Sequence, residues 1–170
     1  VDRFGNVDGA MDFDGAGDYI RAPSFSLGGA VTISAWVNIR NPFDSYPRIV
    51  DFGNGASNHN ILLAWFGTSG TMAWYNFNGS IYEDITRTTD TFPANKWVQV
   101  IAVGDGSGNG NIYWDGVLKA SSNSMPVIPE LSRTYQYFGK TNWPSDADFD
   151  GLMDDIRIYN RALSASEVQE

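Results

Sequence analysis

The sequence predicts an all-β domain: a two-sheet antiparallel sandwich or jelly roll that ends in a short C-terminal helix. Short runs of alternating apolar and polar residues recur along the chain, and turn signals separate them. Glycine supplies 18 of the 170 residues, and little of the chain has a helical period. A chain of this length can bury a sizeable core. We therefore expect residues 1–170 to form a single domain, and we interpret it as a part of a larger multidomain protein.

Composition and charge argue against several classes of protein. Hydrophobic residues make up 42% of the chain and aromatic residues 14%, which is too apolar for a disordered segment. No run approaches the ~18 uninterrupted apolar residues that favour a membrane-spanning helix, so no membrane insertion is expected. The net charge of -9 argues against a nucleic-acid partner. Cysteine is absent, and a core of this size needs no disulfide, so the count does not decide the compartment.

The first half of the chain is predicted to form a hairpin and a series of strands. Residues 10–23 alternate around the turn Asp14-Gly15-Ala16-Gly17, which predicts a hairpin with Met11 and Phe13 on one face. Residues 30–40 are apolar at both parities, which predicts a central strand whose Trp36 we assign to the core. Further strands are predicted at 48–53, 60–66, 71–77 and 81–87, the last two joined by the two-residue turn Asn78-Gly79.

The second half continues the β pattern up to a helix start. Residues 104–111 are rich in Gly and Asn but lack the Lys and the following helix of a phosphate-binding loop, so we predict a hairpin loop. Ser164 and Glu167 have the spacing of a capping box, which predicts a helix start. The predicted strands are 96–103, the hairpin 112–120 around Asp115-Gly116, 134–140 and 151–159. Runs as apolar as 30–40, 96–103 and 151–159 belong in the interior of a sheet.

The last strand carries an acidic residue at a position predicted to face the core. Ile156 and Ile158 alternate with Arg157 and Tyr159, and the same parity turns Asp154 inward. An inward carboxylate is costly unless a partner compensates it, and a bound cation or several backbone N–H groups could do so. The chain has sixteen Asp against four Glu, and Asp favours both turns and oxygen-rich cation sites.

Five segments occur in the order in which the laminin-G-like, concanavalin-A-like jelly rolls carry them, and the chain resembles that family. The segments are MDFDGAGDYI, TISAWVNI, KWVQVIAV, IYWDGVLKAS and FDGLMDDIRIYNRALSASEVQE, and together they cover nearly the whole chain. The resemblance implies two antiparallel sheets, with the N-terminal hairpin beside the last strand and a structural calcium near that junction. In related sandwich glycanases the aspartate before the matching strand is a calcium ligand, and Asp154 occupies that position.

Four aspartates are therefore candidate ligands of a structural calcium ion. Calcium binds six to eight oxygens, commonly carboxylates, backbone carbonyls and water. Asp154 would supply one carboxylate, and Asp12, Asp14 and Asp18 lie on the hairpin expected nearby. The alternative for Asp14 and Asp18 is that each caps turn amides.

The same resemblance leaves function open, because these folds host lectins, sugar-binding modules, adhesion domains and glycanases. Glycoside hydrolysis needs two carboxyl groups that face each other across the scissile bond. Glu83 and Asp84 are the only mid-strand acids of that kind, and adjacent strand residues point to opposite faces. We therefore predict that the chain is not an enzyme. The single histidine, His59, lies in a polar loop and is interpreted as an ordinary loop residue.

Aromatic residues outnumber what a small core needs, which suggests a sugar-binding surface. Aromatic rings stack on the C–H faces of sugars, although any one of them could instead fill the core. Trp143 and Tyr46 lie in polar, proline-containing loops, and Trp74 and Tyr82 are the next candidates. We predict a non-catalytic, calcium-stabilised module of a secreted or cell-surface protein that binds a polysaccharide or glycan. The alternative is an adhesion or protein-interaction spacer without a sugar site.

Overall fold

The computed structural model describes residues 1–77 and 85–170, in which two antiparallel sheets pack face to face. The predicted all-β sandwich is confirmed. The elements in chain order are β1 (Met11–Asp14), β2 (Ile20–Ala22), β3 (Ser26–Ile39), β4 (Arg48–Gly53), β5 (Ile61–Trp65), β6 (Met72–Asn76), β7 (Thr86–Arg87), β8 (Val98–Asp105), β9 (Gly110–Trp114), β10 (Val117–Ser122), β11 (Ile128–Ser132), β12 (Tyr135–Phe138), β13 (Asp150–Tyr159) and α1 (Ala165–Val168).

Among the described residues, one sheet has seven strands and the other has six. The seven-stranded sheet runs β1-β13-β3-β8-β9-β10, and β11 also pairs with β3; the six-stranded sheet runs β2-β12-β4-β5-β6-β7. Strands β3, β8 and β13 each have neighbours on both sides, which confirms the prediction that the three most apolar runs lie inside a sheet. An apolar strand placed there has both edges hydrogen-bonded, so it offers no free edge for aggregation.

The core between the sheets is rich in aromatic side chains. Trp65, Trp74 and Phe92 are almost completely buried there. The rings of Trp65 and Phe92 meet edge to face, with centroids 5.2 Å apart and planes at 86°. Three of the six tryptophans, including Trp114, therefore fill the sandwich and are not available for a surface site.

The predicted N-terminal hairpin is wrong, because its two strands belong to different sheets. β1 pairs with β13 in the seven-stranded sheet, whereas β2 pairs with β12 in the six-stranded sheet. Gly15 and Gly17 have φ of 74° and 108°, which lets the chain turn from one sheet to the other. Alternation along residues 10–23 identified the strands but not their partners. The predicted contact with the last strand is confirmed for β1.

The turns of the second half follow the sequence closely. Asp115 and Gly116 have φ of 48° and 73° and join Trp114 to Val117, as expected for a tight two-residue hairpin. The capping box of Ser164 and Glu167 is present at the start of α1. That helix has four residues, and no helix among the described residues is long and apolar enough to cross a membrane.

Strand β11 lies in a stretch that the sequence analysis left irregular. Just after it, the Arg133 side chain is almost fully buried and donates to the carbonyls of Leu27 at 2.6 Å and His59 at 2.6 Å. Burial lowers the pKa of Arg133 to about 10, so the guanidinium stays charged at neutral pH. These contacts tie the end of β11 to β3 and to the loop before β5. The predicted turn Asn78-Gly79 lies outside the described residues.

Each sheet also has an outer face, which points away from the core. On the six-stranded sheet this face carries Tyr137, Asp51, Leu62 and Tyr75, which are neighbours across β12, β4, β5 and β6. We call it the six-strand outer face. On the seven-stranded sheet the outer face carries Asp154, Trp36 and Gln99 across β13, β3 and β8, and we call it the seven-strand outer face. The assignment of Trp36 to the core is therefore wrong, because its ring is half-buried on this face.

Candidate functional site

A cavity of about 460 Å³ lies on the six-strand outer face, and we call it the six-strand groove. Strand β12 forms one side of it, and the segment between β12 and β13 forms the other. Its lining includes Tyr135, Tyr137, Lys140, Asn142, Trp143, Asp146 and Asp148. The groove therefore combines three aromatic residues with amide, ammonium and carboxylate groups.

Two tyrosines of β12 form a flat side of the groove. Their ring centroids are 6.2 Å apart and their planes differ by 25°, so the rings of Tyr135 and Tyr137 stack along the strand. Tyr135 is 39% exposed, and neither hydroxyl has a hydrogen-bond partner among the described residues. Burial raises the pKa of Tyr137, so its hydroxyl stays protonated at neutral pH. Arg21 lies 5.4 Å from the centre of the Tyr135 ring, and the Tyr19 ring meets the Tyr137 ring edge to face at 5.4 Å. The two tyrosines therefore bring the remaining ring surface and an O–H group each to the groove lining.

The sequence analysis missed these tyrosines although a signal for them exists. In β12 they alternate with Gln136 and Phe138, which are both buried in the core. Two tyrosines at every second position of a strand that is otherwise buried lie together on the outer face. Strand alternation along residues 134–140 would therefore have predicted that Tyr135 and Tyr137 lie side by side on the outer face.

Trp143 faces the groove from the opposite side and is held against the sheet. It packs on Leu62, Ala73 and Tyr75 of the six-strand outer face. Its backbone N–H donates to the Thr141 hydroxyl at 2.9 Å. The ring is half-buried, so one part anchors the segment while the other part lines the cavity.

A buried carboxylate fixes the segment that carries Trp143. Asp51 is 0% exposed and accepts hydrogen bonds from the backbone N–H and the side-chain amide of Asn142, each at 2.8 Å. The side-chain amide of Asn60 donates to it at 2.8 Å as well. Burial raises the pKa of Asp51, while the neighbouring Arg48 acts in the opposite direction. A buried carboxylate with all its hydrogen bonds made holds the surrounding chain in place, because breaking any of these bonds would leave a buried polar group unpaired at a high cost in free energy.

Arg48 extends this network to both ends of the groove. Its guanidinium donates to the Asp146 carboxylate at 2.6 Å and to the Tyr46 carbonyl at 2.7 Å. The same group lies 5.5 Å from the centre of the Trp143 ring. Burial raises the pKa of Asp146, and Arg48 again opposes that shift. One buried arginine therefore positions the aromatic residue, the acid and the neighbouring loop.

The charges left facing the groove nearly balance. The Asp146 carboxylate is paired with Arg48. Burial raises the pKa of Asp148, and the nearby Lys140 opposes that shift. The Lys140 ammonium also lies 4.4 Å from the centre of the Tyr19 ring. One ammonium and one carboxylate remain, so the groove has no strong preference for a charged ligand.

The other predicted sugar contacts have different settings. Trp74 is 0% exposed between the sheets, so its prediction as a stacking surface is corrected: the whole ring is used by the core. Tyr46 is half-buried beside the groove, with its ring 5.6 Å from that of Phe66. Tyr82 lies outside the described residues, as do the acids Glu83 and Asp84.

The inward orientation predicted for Asp154 is wrong because β13 contains a bulge. The pairing with β3 shifts between Asp154 and Arg157, and Asp155 has a φ of 51°. One extra residue in a strand reverses the facing of everything before it. Asp154 therefore lies opposite Trp36 on the outer face, and Arg3 donates to its carboxylate at 2.7 Å.

The predicted calcium ligands do not assemble into a cation site. Asp12 is paired with Arg40 at 2.6 Å. Asp14 accepts the N–H of Ala16 at 2.8 Å, and Asp18 accepts the N–H of Asp14 at 3.3 Å, which is the turn-capping alternative. Among the described residues, no group of three or more Asp, Glu, His or Cys side chains is placed to hold a metal ion. These residues do not fit calcium at the junction, and the calcium itself stays a prediction.

Comparisons with known proteins agree with this architecture. A family model described as the concanavalin A-like lectin/glucanases superfamily matches residues 14–169. A search of curated proteins gives no match. Domain 4 of AbnA, a GH43 extracellular arabinanase from Geobacillus stearothermophilus, was solved in complex with arabinotriose. It is 26% identical and superposes with a TM-score of 0.81, over 94% of this chain and 74% of that chain.

Two more distant structures share the fold. The Ruminococcus gnavus IT-sialidase CBM40, bound to α2,3-sialyllactose, has a TM-score of 0.73 at 12% identity, and the match covers 94% of both chains. A SAP-like pentraxin from Limulus polyphemus has a TM-score of 0.72 at 14% identity, over 93% of this chain and 78% of that chain. At these identities the likeness concerns the fold alone.

Proposed function

Since this chain belongs to the concanavalin A-like lectin/glucanase superfamily, we propose that it is a non-catalytic module that binds a neutral oligosaccharide in the six-strand groove. The observation that supports this best is the groove itself, in which the stacked rings of Tyr135 and Tyr137 lie across from Trp143. The AbnA domain, which is 26% identical, was solved with arabinotriose. A neutral oligosaccharide is therefore also the kind of ligand with which a similar domain was solved.

The lining suits a sugar because it offers flat apolar faces and polar groups together. Aromatic rings pack on the C–H face of a pyranose or furanose, and hydroxyl groups need donors and acceptors close by. The Tyr135 and Tyr137 hydroxyls have no hydrogen-bond partner among the described residues, so they are available to donate and accept. Lys140 and Asp148 add one donor and one acceptor.

Charge favours a neutral sugar over an acidic one. The chain has a net charge of -9, which repels polyanions at long range. Within the groove, the Lys140 ammonium is matched by the Asp148 carboxylate. An acidic sugar would thus gain no uncompensated cation there, while a neutral sugar is not penalised.

The groove also lacks the arrangement that hydrolysis would require among its described residues. Two carboxyl groups must flank the glycosidic bond, one as an acid and one as a base or nucleophile. Of the acids in the groove lining, Asp146 is committed to Arg48 at 2.6 Å. Asp148 alone cannot supply both roles, which supports binding without catalysis.

We further propose that the module works outside the cell, on a polysaccharide or surface glycan. The arabinanase that contains the similar AbnA domain is extracellular by its description. Binding as proposed uses side chains only and needs no metal ion, so calcium stays a separate prediction.

Isothermal titration calorimetry with arabinotriose, xylotriose and mannotriose tests the proposed function. We expect binding of at least one trisaccharide, and Trp143→Ala should weaken it by about 1–3 kcal/mol, the scale of stacking on an aromatic side chain. Tyr135→Ala should weaken it similarly. Phe43→Ala is the control, because Phe43 is an exposed aromatic residue that lines neither this groove nor the other large cavity of the domain. Absence of binding to neutral glycans would favour the spacer function instead.

A further inference from the structure

A second cavity, of about 500 Å³, lies on the opposite side of the sandwich. It sits on the seven-strand outer face, and we call it the seven-strand groove. Its lining includes Ser34, Trp36, Trp97, Gln99, Arg157 and Tyr159. The cavity thus has two tryptophans and one tyrosine in its lining, whereas the six-strand groove has one tryptophan and two tyrosines.

Strand register explains why these side chains meet. Trp36 lies opposite Gln99, and Ser34 lies opposite Arg157, so four residues of three neighbouring strands form one patch. Trp97 is two residues before Gln99 and therefore shares its face. Leu163, just before α1, and Val168, the last residue of α1, border the cavity, and Arg3 and Phe4 border it as well.

Several groups in this cavity have no partner within the described part of the chain. No ring or cation contact involves the half-buried Trp97. The side-chain amide of Gln99 makes no hydrogen bond, and neither does the hydroxyl of Ser34, which is only 6% exposed. An indole ring in the same cavity as an amide and a hydroxyl is a combination that sugar sites use.

Most charged groups around the cavity are matched to one another, and the exception among the described residues is the exposed carboxylate of Glu170. Asp155 accepts from Arg3 at 3.0 Å and from Arg157 at 2.9 Å. Arg3 also donates to Asp154 at 2.7 Å, and Glu167 is paired with Arg161 at 2.8 Å. An anionic ligand would have to displace these carboxylates, so a neutral polar ligand fits better.

We propose that the seven-strand groove is a second site for neutral oligosaccharides, in which Trp97 provides the stacking face and Gln99 and Ser34 bind hydroxyl groups. The two grooves lie on opposite faces of the sandwich, so one domain can hold two glycan chains, or two parts of one polysaccharide. Two weak sites on a long ligand give a higher apparent affinity than either alone. This inference takes the class of ligand, a neutral oligosaccharide, from the proposed function, whereas the site itself is argued from the seven-strand groove alone.

Stoichiometry separates the two sites. We titrate the whole chain with arabinotriose, xylotriose and mannotriose by calorimetry, and we expect two sites in the wild type. Trp97→Ala and Trp143→Ala should each weaken their own site by about 5- to 150-fold, which takes a weak site below detection and leaves one measurable site, and the double variant should show none. Gln99→Leu keeps the volume of the side chain but removes the amide, and it should weaken the second site by about tenfold while leaving the first unchanged. Urea unfolding of each variant confirms that the fold is retained.

Each other outcome contradicts a particular claim. A single site that is lost in Trp143→Ala and kept in Trp97→Ala overturns the second site and leaves the proposed function standing. A single site with the reverse dependence overturns the six-strand groove as the binding site and supports the seven-strand groove. No binding of any of the three trisaccharides overturns both.

Discussion

The two outer faces of the sandwich carry grooves of similar size that are held together in different ways. On the six-strand outer face, Asp51 and Arg48 are almost completely buried, and their hydrogen bonds reach Asn142 and Asp146 beneath the groove. On the seven-strand outer face, the ion pairs of Asp155 lie at the surface, where its side chain is 32% exposed. When a partner is lost from a buried network, no water can replace it, whereas at the surface water can bind to the remaining charged group.

Cavities of similar size can therefore respond differently to mutation. The Trp143 segment depends on groups that the protein cannot leave unpaired. The seven-strand groove depends on strand register and on packing of α1, while its ion pairs contribute little.

The largest effect is expected for Asp51. Asp51→Ala leaves the amides of Asn60 and Asn142 without their acceptor and removes the carboxylate 4.0 Å from the Arg48 guanidinium, and we expect a loss of about 3–5 kcal/mol in the free energy of unfolding. Binding in the six-strand groove should be lost with it. Urea unfolding and calorimetry measure both quantities.

A matched pair of substitutions makes the contrast direct. Asp51→Asn replaces one acceptor oxygen with an NH2 group that faces the donor groups of Asn60 and Asn142, and it should lower the free energy of unfolding by about 1–3 kcal/mol. Asp155→Asn, at a φ of 51° that Asn tolerates, should cost about 1 kcal/mol or less. Equal losses at the two positions would show that burial of the network does not matter.

A smaller effect is expected where Arg3 meets the last strand. Arg3→Ala removes the partner of Asp154 and a guanidinium 5.0 Å from the centre of the Trp36 ring, and it should cost about 1 kcal/mol.

Chelation of calcium should have no effect on stability. Arg3 already compensates the charge of Asp154, so Asp154 needs no calcium ion as a partner, and excess chelator should leave the melting temperature of the wild type unchanged. A melting temperature that falls on chelation and recovers with calcium would instead support the calcium predicted from the resemblance.

The smallest effect concerns α1, which borders the seven-strand groove. Hydrogen bonds from Arg161 and then from Ser164 lower the pKa of Glu167 to about 2 from an ordinary value of 4.5. A lowered carboxyl pKa adds stability that is present above pH 4.5 and lost as the pH falls toward 2. Glu167→Gln should therefore lower the melting temperature slightly at pH 6 and not at pH 2. A difference that persists at pH 2 would mean that the carboxylate charge is not the cause.

Most of the fold could be predicted because strand alternation and turn residues are local signals. Asp115-Gly116 and the Ser164 capping box are read from a few neighbouring residues. Pairing partners are not local, which is why residues 10–23 were predicted as a hairpin although β1 and β2 join different sheets.

The candidate site was predictable only in part for a similar reason. Trp143 was identified from its polar loop, but a single extra residue at Asp155 reversed the facing of Asp154. The role of Asp51 depends on Asn142, which is 91 residues away in the sequence. Contacts at that separation leave no pattern in a single sequence.

The indole N–H signals in a nitrogen-15 NMR spectrum report whether a sugar binds beside Trp143. Titration with the trisaccharide that binds best should shift the signal of Trp143, and the second site should shift that of Trp97. The signals of Trp65, Trp74 and Trp114 serve as internal controls, because these rings are 0%, 0% and 6% exposed in the core. We expect them to stay in place. Saturated binding that leaves the Trp143 signal unmoved would contradict the assignment of the six-strand groove as the sugar site.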